Sequence, residues 1–409
     1  MKVLQVNCVY RSGSTGKIVY DLHSAYQSRG IDSYVCYGRG TRVAEKNVYK
    51  TASEMISKGY NLISRVTGIQ YGGAWGSTQY LINRIKKIKP DVVHLHCING
   101  FFVNIYRLLD FLKKASIPTV LTLHAEFMYT GSCGYALECE QWKMPGGCKI
   151  CPQLREATNS YFFDRTETAW KKMKKAFEDF PYLQIVSVSP WLECRARQSA
   201  IMEGMSHYCV LNGIDTENTF YYRAKSQLRK ELGLEGKKVV LYVTAAFSEF
   251  KGANYILRLA EQMPDVIFLV VGNKENIGSH PDNLWPVGRV EDQKVLAEYY
   301  AMADVTVLTS KRETFSMICA ESLSCGTPIV GFEAGAPETI SLPQFSSFCM
   351  YGDLAQLEKL TEDALDNAAY RDKRLISQKA AQAYSKQQMC DGYISVYERL
   401  LDEYKRKET

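Results

Sequence analysis

The chain has 409 residues, of which 46% are hydrophobic and 23% charged, and its formal net charge at neutral pH is +6. This length and apolar content are typical of a globular protein with two or three domains. The charge is too small for this length to indicate a nucleic-acid-binding protein, although it permits an anionic ligand or an anionic membrane surface.

The N-terminal apolar run is too short for a signal peptide, and no run of about 18 apolar residues follows it. We therefore expect a cytoplasmic protein that could touch the inner face of the plasma membrane without spanning it. The chain has 13 cysteines. Because cytosolic thiols stay reduced, a cluster of cysteines indicates a metal site or chemistry rather than a disulfide framework.

Strand-like and helix-like segments alternate along the chain. The first strands are "KVLQVNCVY", "SYVCYG", "VVHLHC" and "TVLTLHA", and segments of helical period such as "KIVYDLHSAYQSRG" separate them. The pattern restarts with "KKVVLYVTAAF", "VIFLVVGN", "VTVLTS" and "PIVGFEA". This order predicts βαβ units with parallel sheets, and thus two doubly wound α/β domains that meet in a cleft.

A turn signal at Asn212-Gly213 indicates a domain boundary close by. We predict a first domain over residues 1–208, a second over 209–385 and a terminal helix over 386–409 that packs back on one of them.

A glycine loop, "RSGSTGK", falls between the first strand and the first helix. Gly13 and Gly16 would let the backbone approach an anion, and Lys17 and the amides of the helix start would supply positive potential. The loop is neither a complete Walker A motif nor a GxGxxG fingerprint. A strand-to-helix turn that merely needs glycine is the alternative interpretation.

The segment "KRETFSMICAESLSCGTP" contains two glutamates, Glu313 and Glu321. If a helix begins near Phe315, Glu321 lies about two turns into it, roughly 10 Å along the axis. That spacing fits the two ends of one extended ligand, and the free amides of Thr314, Phe315 and Ser316 would face a polar or anionic group. Alternatively, Glu313 complements the helix dipole and Glu321 is a surface residue.

The segment "ETFSMICAESLSCGTPIVGFEAGAPETI" resembles the E-x7-E segment of retaining GT-B glycosyltransferases, specifically glycosyltransferase family 4. In the order expected for that family, "SGSTGK" resembles its glycine loop, "LTLHAEF" its strand-end histidine and "LNGIDTENTF" the start of its donor domain. "SEFKG" and "PVGRVEDQKVLAEYYAMADVTVLTS" resemble its lysine-glycine pair and nucleotide-base loop. The resemblance covers nearly all of the chain and implies a GT-B fold, with two Rossmann-like doubly wound domains facing a cleft.

The resemblance implies a role for each of these segments. Glu313 would lie against the donor sugar and Glu321 would bind the ribose, while Lys251 would neutralise the diphosphate. Gly16 would lie under the donor phosphate, and His124 would reach the donor sugar or the reacting centre. The implied catalytic residues are His124, Lys251 and Glu313, and the implied donor-binding residues are Gly16, Arg289, Val290, Thr314, Phe315, Ser316 and Glu321.

Two positions depart from the family pattern. Ala246 stands about five residues before Lys251, where family members commonly have an arginine that also binds the diphosphate. Either Arg289 or a residue of another loop replaces that arginine, or the phosphate site is weaker. Ala125 stands where an aspartate commonly follows the histidine, so Glu126 is the acceptor-side candidate.

The implied reaction is retaining transfer of a sugar from a nucleotide-diphosphate sugar to a glycan or lipid-linked acceptor in cell-surface polysaccharide synthesis. No catalytic metal is expected, because helix amides and basic residues would bind the diphosphate. The alternatives are a GT-B-type nucleotide-sugar epimerase and a catalytically silent nucleotide-sugar-binding subunit.

A cysteine-rich loop over residues 131–154 follows the histidine. Cys133, Cys139, Cys148 and Cys151 form C-x5-C-x8-C-x2-C, which predicts a structural zinc site; free thiols and a redox role are the alternatives. A similar loop is familiar in a subgroup that resembles exopolysaccharide and capsule glycosyltransferases. A zinc-finger nucleic-acid module would need a basic recognition helix, which this loop lacks, so no nucleic-acid partner is expected.

Two segments of the first domain, "YLINRIKKIKP" and "AWKKMKKAF", mix basic with apolar and aromatic residues at near-helical spacing. This pattern fits helices that lie in a membrane interface. The solvated faces of ordinary domain helices fit it equally well.

Overall fold

The computed structural model describes residues 1–224, 226–272 and 277–408. It divides into two compact units, one formed by residues 1–210 with the chain from Met389 onward, the other by residues 211–388. The boundary lies between Val210 and Leu211, two residues beyond the predicted position.

The first unit contains a parallel sheet of seven strands in the order β3-β2-β1-β4-β5-β6-β7. The strands are β1 (Lys2–Asn7), β2 (Asp32–Tyr37), β3 (Val48–Lys50), β4 (Val92–Leu95), β5 (Thr119–Leu123), β6 (Leu183–Ser187) and β7 (Ser206–Cys209). The helices are α1 (Gly13–Ser28), α2 (Glu54–Thr67), α3 (Trp75–Ile88), α4 (Ile105–Lys114), α5 (Thr166–Phe177) and α6 (Pro190–Arg197). Strands such as β4 and β5 are buried along their whole length, as their continuous apolar runs predict.

The second unit contains a parallel sheet of six strands in the order β10-β9-β8-β11-β12-β13. The strands are β8 (Lys238–Thr244), β9 (Val266–Gly272), β10 (Leu284–Gly288), β11 (Val305–Leu308), β12 (Ile329–Phe332) and β13 (Ser346–Cys349). The helices are α7 (Gln227–Glu231), α8 (Ala253–Gln262), α9 (Gln293–Met302), α10 (Met317–Ser324), α11 (Pro337–Ile340), α12 (Leu354–Asp366) and α13 (Lys373–Tyr384).

The terminal helix α14 (Lys386–Glu408) completes the core of the first unit. Its buried residues Tyr393, Tyr397 and Leu400 pack in one apolar cluster with Val3 and Ile18. The helix therefore belongs to the first unit although it follows the second unit in the sequence.

In both units the strand order reverses beside the first strand, between β1 and β4 and between β8 and β11. Ligands of doubly wound sheets bind at such switch points, at the carboxyl ends of the strands. The loops after β1, β4, β8 and β11 are therefore the first places to look for a site.

Candidate active site

Lys251 and Glu313 meet at the switch point of the second unit. Lys251 follows β8 and Glu313 follows the neighbouring strand β11, and the Lys251 Nζ lies 2.6 Å from the Glu313 Oε1. The two side chains are 27% and 16% exposed, so a ligand can reach the pair. Water screens the charges of the pair less than it would on an open surface. The sequence had placed these residues 62 positions apart, and the sheet brings them together.

The backbone around Lys251 is fixed by close packing. The Tyr242 hydroxyl donates to the Lys251 carbonyl at 2.6 Å, and the Thr309 Oγ1 donates to the same oxygen at 3.0 Å. Gly252 has φ +72°, and a Cβ there would lie 2.0 Å from the Thr309 carbonyl oxygen. Glycine is therefore required, and the lysine-glycine pair is a positioned turn rather than a loose surface loop.

A second loop fixes Glu313. Its N–H donates to the Ala334 carbonyl at 2.9 Å, and its carbonyl accepts from the Ala336 N–H at 3.1 Å. The Glu338 carboxylate accepts from the Ala334 and Gly335 N–H groups at 3.1 and 2.8 Å, which closes this loop. Sequence reasoning did not single out Glu338, although an acidic residue in a first helical turn after proline was an available signal.

The helix after Glu313, α10, begins at Met317, two residues later than predicted. Thr314, Phe315 and Ser316 therefore precede the helix, and all three are buried. Ser316 has φ +80°, and its Oγ accepts from the Cys319 N–H at 3.3 Å. A non-glycine residue in the left-handed region costs roughly 1–2 kcal/mol, and such strain concentrates at functional sites.

Glu321 lies on the second turn of α10 and is only 7% exposed. Its Oε2 accepts from the hydroxyl of Tyr300, which is fully buried, at 3.0 Å. Burial, followed by the Glu321 charge, raises the pKa of Tyr300 well above its usual value, so this hydroxyl stays a donor. The alternative interpretation of Glu321 as a surface residue is therefore wrong.

The predicted donor-binding residues Arg289 and Val290 follow β10. Gly288 ends that strand with φ +94°, and Val290 is half-buried. The Arg289 side chain is 78% exposed and lies 3.5 Å from the Glu291 carboxylate. This exposed position gives no support to Arg289 as the replacement for an arginine at the Ala246 position.

In the first unit, the glycine loop leads into α1. Gly16 is buried, and a Cβ there would lie 3.0 Å from the Val9 Cγ2 and 3.4 Å from the Arg11 nitrogen. The Arg11 side chain pairs with Glu45 at 2.8 Å. Gly16, in the first turn of α1, is thus explained by its close packing against Val9 and Arg11, and its contact with a donor phosphate stays a prediction.

His124 follows β5 and is 9% exposed. Burial lowers the pKa of His124 to about 4, so the ring is neutral near pH 7. Its Nε2 lies 3.2 Å from the Nδ1 of His96, which follows the neighbouring strand β4. Sequence reasoning did not single out His96, although the alternation "HLHC" already put it on one face of the strand with His94.

Glu126 was the acceptor-side candidate, and its surroundings argue against that role. The residue is fully buried, and its Oε1 accepts from the Arg195 Nε at 2.6 Å and from the Tyr129 hydroxyl at 3.0 Å. Its Oε2 accepts from the Ala136 N–H at 2.7 Å. Because both oxygens are engaged inside the domain, we correct the assignment of Glu126 to a structural ion pair.

Two protein-family models match the chain, and together they span most of both units. The model of Glycosyltransferase Family 4 matches residues 15–218, and the model of glycosyl transferases group 1 matches residues 224–382. The chain belongs to glycosyltransferase family 4. The predicted family is thus confirmed, and the protein is a glycosyltransferase.

One relative matches this family 4 glycosyltransferase over its whole length. The protein described as colanic acid biosynthesis glycosyl transferase WcaC, of Escherichia coli K12, is 23% identical over 98% of this chain and 100% of its own.

Two solved structures illustrate the fold. Sucrose-phosphate synthase of Thermosynechococcus elongatus covers 98% of this chain and 99% of its own, with a TM-score of 0.69 and 15% identity. Anabaena HepE, solved in complex with UDP, covers 98% and 100%, with a TM-score of 0.65 and 16% identity. The predicted GT-B fold of two Rossmann-like domains is confirmed.

The cysteine-rich loop of this glycosyltransferase is tied to the Glu126–Arg195 pair. The Arg195 guanidinium lies between Trp142 of the loop and Trp191 of α6, 4.8 and 5.0 Å from the two ring centres. Together with the Ala136 contact to Glu126, this stacking anchors the loop to the domain.

Cys133, Cys139, Cys148 and Cys151 border one small cavity inside this loop. The Gly131 N–H donates to the Cys148 Sγ at 3.2 Å, and burial raises the pKa of Cys133 and Cys148 to about 12. Within the described residues, no three His, Cys, Asp or Glu side chains stand ready to hold a metal ion. The zinc site stays a prediction.

The two helices considered for membrane contact bury much of their apolar surface inside the domain, although Trp75 and Tyr80 of α3 are exposed. In α3, Leu81, Ile82 and Ile85 are buried, and in α5, Trp170 and Phe177 are buried. These buried residues fit the second interpretation, in which the basic residues form solvated faces, and membrane contact through α3 or α5 stays a prediction. Across the part of the chain that the structure describes, we find no helix with the length and apolar content needed to cross a membrane.

Proposed function

We propose that this glycosyltransferase moves a sugar, with retention of configuration, from a nucleotide-diphosphate sugar to a glycan or lipid-linked acceptor of a cell-surface polysaccharide. The observation that carries the proposal is the Lys251–Glu313 pair at the switch point of the second unit, with the buried Glu321 on the helix that follows. The UDP complex of HepE and the description of WcaC support the donor class and the pathway class.

Lys251 is the group best placed to assist departure of the nucleotide diphosphate. Negative charge grows on the leaving phosphate in the transition state, and a partly buried ammonium stabilises it more strongly than one in water. The Glu313 carboxylate holds Lys251 in place before the donor binds and would then accept hydrogen bonds from sugar hydroxyls. Positive charge is thus supplied where other transferases use a cation, so the proposal includes no catalytic metal.

Donor binding is tested by the melting temperature in the presence of a panel of nucleoside diphosphates and nucleotide sugars. A ligand that binds only the folded state at about 100 times its Kd stabilises it by about 2.7 kcal/mol. We expect a shift with one base, and a smaller shift in Glu321→Ala, each measured against the same variant without ligand.

Glu362→Ala, which removes an exposed carboxylate from α12, is the matched control and should keep the full shift. No shift with any nucleotide in folded protein would overturn the proposal. Release of nucleotide or change of the sugar without acceptor would instead favour the epimerase, and binding without any turnover would favour the silent subunit.

We also propose that the first unit touches a membrane, through α2 rather than α3 or α5. In α2 the usual pattern is reversed, because Ser57 and Ser64 are buried while Leu62 and Ile63 are 60% and 52% exposed. The "α2 surface" comprises the exposed residues Met55, Ile56, Leu62, Ile63, Val66, Ile69, Tyr161, Phe162 and Phe163. An apolar surface of this extent indicates an interaction site.

The chemistry of the α2 surface fits an anionic bilayer. The Tyr161 N–H donates to the Arg65 carbonyl at 2.7 Å, and the Arg65 guanidinium donates to the Tyr161 hydroxyl at 2.9 Å, which joins the aromatic segment to the helix. Arg165 lies 6.0 Å from the Phe163 ring centre, and Lys58 is exposed on α2. Basic groups beside aromatic and aliphatic ones are typical of interfacial helices.

Sedimentation with anionic liposomes tests this contact. We expect the double variant Leu62→Glu and Ile63→Glu to lower the bound fraction severalfold, because it places two charges in the buried interface. The control, Lys171→Glu with Lys172→Glu, reverses charge on α5 and should keep most of the binding. Equal loss in both variants, or no sedimentation of the unaltered protein, would contradict the proposal.

The zinc site is a further proposal, carried by the four cysteines around one cavity. A tetrahedral ion would order a loop that has little apolar core of its own. We expect about one zinc per chain in protein purified without chelator, and its loss in Cys148→Ser with Cys151→Ser. The exposed Cys194→Ser is the control. A metal content far below one per chain in the unaltered protein would overturn this proposal.

A further inference from the structure

Three buried polar side chains form a line across the centre of the first sheet. Gln5 lies on β1, His96 follows β4 and His124 follows β5, and these strands are neighbours in the sheet. The exposed fractions are 0%, 0% and 9%, so water cannot substitute freely for any partner in the line. The hydrogen bonds of this line are therefore made between protein groups, and these partners determine which ring and amide atoms carry a hydrogen.

The orientation of the Gln5 amide sets the direction of the line. Its Nε2 lies 3.4 Å from the Val19 carbonyl, which can only accept, so the amide nitrogen faces α1. Its Oε1 then lies 3.3 Å from the His96 Nε2. An amide oxygen can only accept a hydrogen bond, so the His96 Nε2 carries the hydrogen.

The state of His96 then determines that of His124. Burial lowers the pKa of His96 well below its usual value, so its ring has a single hydrogen, on Nε2, and its Nδ1 is an acceptor. The His124 Nε2 lies 3.2 Å from this Nδ1 and must be the donor. Because His124 is also neutral near pH 7, its own Nδ1 has a lone pair.

A third histidine supports the line from the side. The His94 ring centre lies 3.8 Å from that of His96. The His94 Nδ1 lies 2.6 Å from the Tyr397 hydroxyl of α14, and its Nε2 lies 2.7 Å from the Thr122 Oγ1. His94 is thus fixed at both nitrogens, and it limits rotation of the His96 ring.

We propose that Gln5 and His96 are positioning residues that hold His124 in the Nε2–H tautomer, so that its Nδ1 is the acceptor atom of the ring. A role of this acceptor atom in sugar transfer rests on the proposed function, whereas the tautomer does not. The ring's single hydrogen is donated to His96, so the His124 Nδ1 can accept a hydrogen bond but cannot donate one. The line also explains why two residues far from solvent are polar.

The test reads the tautomer directly, by long-range ¹⁵N–¹H correlation of the histidine rings at pH 7. The His124 signals are assigned by their loss in His124→Asn. We expect a protonated Nε2 and an unprotonated Nδ1 in the unaltered protein. A protonated Nδ1 or a cationic His124 ring would overturn the proposal.

Two variants of His96 distinguish the loss of the hydrogen-bond acceptor from a general effect on the fold. His96→Asn can keep an acceptor oxygen near the Nδ1 position, and we expect it to preserve the tautomer and most of the activity. His96→Leu removes the acceptor, and we expect a mixture of tautomers and about a tenfold loss of kcat/KM, the size of one neutral hydrogen bond.

If His96→Leu does not fold, Gln5→Leu breaks the line one step earlier and should also mix the tautomers. A pure Nε2–H tautomer in a folded leucine variant would overturn the positioning role. The expected tautomers without any sugar transfer would contradict the proposed function and leave the line intact.

Discussion

Lys251→Ala lowers the sugar-transfer rate by roughly 10²–10³-fold, the usual effect of removing one group that stabilises developing negative charge. The Nζ of Lys251 is partly buried and held 2.6 Å from Glu313, so no freely moving cation of the solvent matches its position. The measurement is kcat and KM for the donor, in protein whose melting temperature shows that it is folded. Lys359→Ala, on the exposed face of α12, should leave the rate unchanged.

The double variant Lys251→Ala with Glu313→Gln distinguishes a catalytic role of Lys251 from a structural one. If Lys251 only neutralises Glu313, the double variant will be as fast as Glu313→Gln alone, because no carboxylate charge is left to neutralise. If Lys251 acts on the leaving phosphate, the double variant will be slower than Glu313→Gln alone. A wild-type rate in Lys251→Ala would contradict the assignment of this residue.

Glu126→Ala destabilises the first unit by about 3–5 kcal/mol, the range seen when one partner of a buried ion pair is removed. The cost arises because Arg195, whose side chain is only 12% exposed, loses its carboxylate partner between two tryptophan rings. The Ala136 N–H also loses its acceptor, which loosens the cysteine-rich loop. Denaturant unfolding followed by fluorescence measures the change.

Glu193→Ala is the matched control for Glu126→Ala. Glu193 pairs with Arg197 within α6, and the two side chains are 20% and 51% exposed, so the loss of this better-solvated pair should cost about 1 kcal/mol or less. Full stability in Glu126→Ala together with a large loss of activity would restore Glu126 as an acceptor-side residue.

The pattern of strands and helices and the family were predictable from local sequence. Parallel strands buried on both faces give continuous apolar runs, and the glutamate segment has its own spacing. The start of α10 was less predictable, because Ser316 adopts a left-handed conformation that its residue type does not favour.

The environment of Glu126 was not predictable, because it depends on a distant partner. Its neighbour in sequence is the candidate His124, but its ion-pair partner Arg195 is 69 residues away. Because Glu126 lies close to His124 in the chain, the sequence suggested a shared site. The contact with Arg195, which is distant in the chain, shows instead that Glu126 belongs to a buried ion pair.

The exposed apolar face of α2 was not predicted for a related reason. Periodicity shows that a helix has an apolar face, but not whether that face is covered by the rest of the domain. In α5 the apolar face is covered, whereas in α2 the small Ser57 and Ser64 face inward and Leu62 remains outside.

The place of α14 in the first unit has a consequence for synthesis of the chain. The first unit is discontinuous in sequence, with residues 211–388 inserted before its last helix. Until Tyr393 and Tyr397 have left the ribosome, the apolar surface around Val3 and Ile18 lacks its cover. Of these two units, the one whose first strand is translated earlier is thus the later to complete its core.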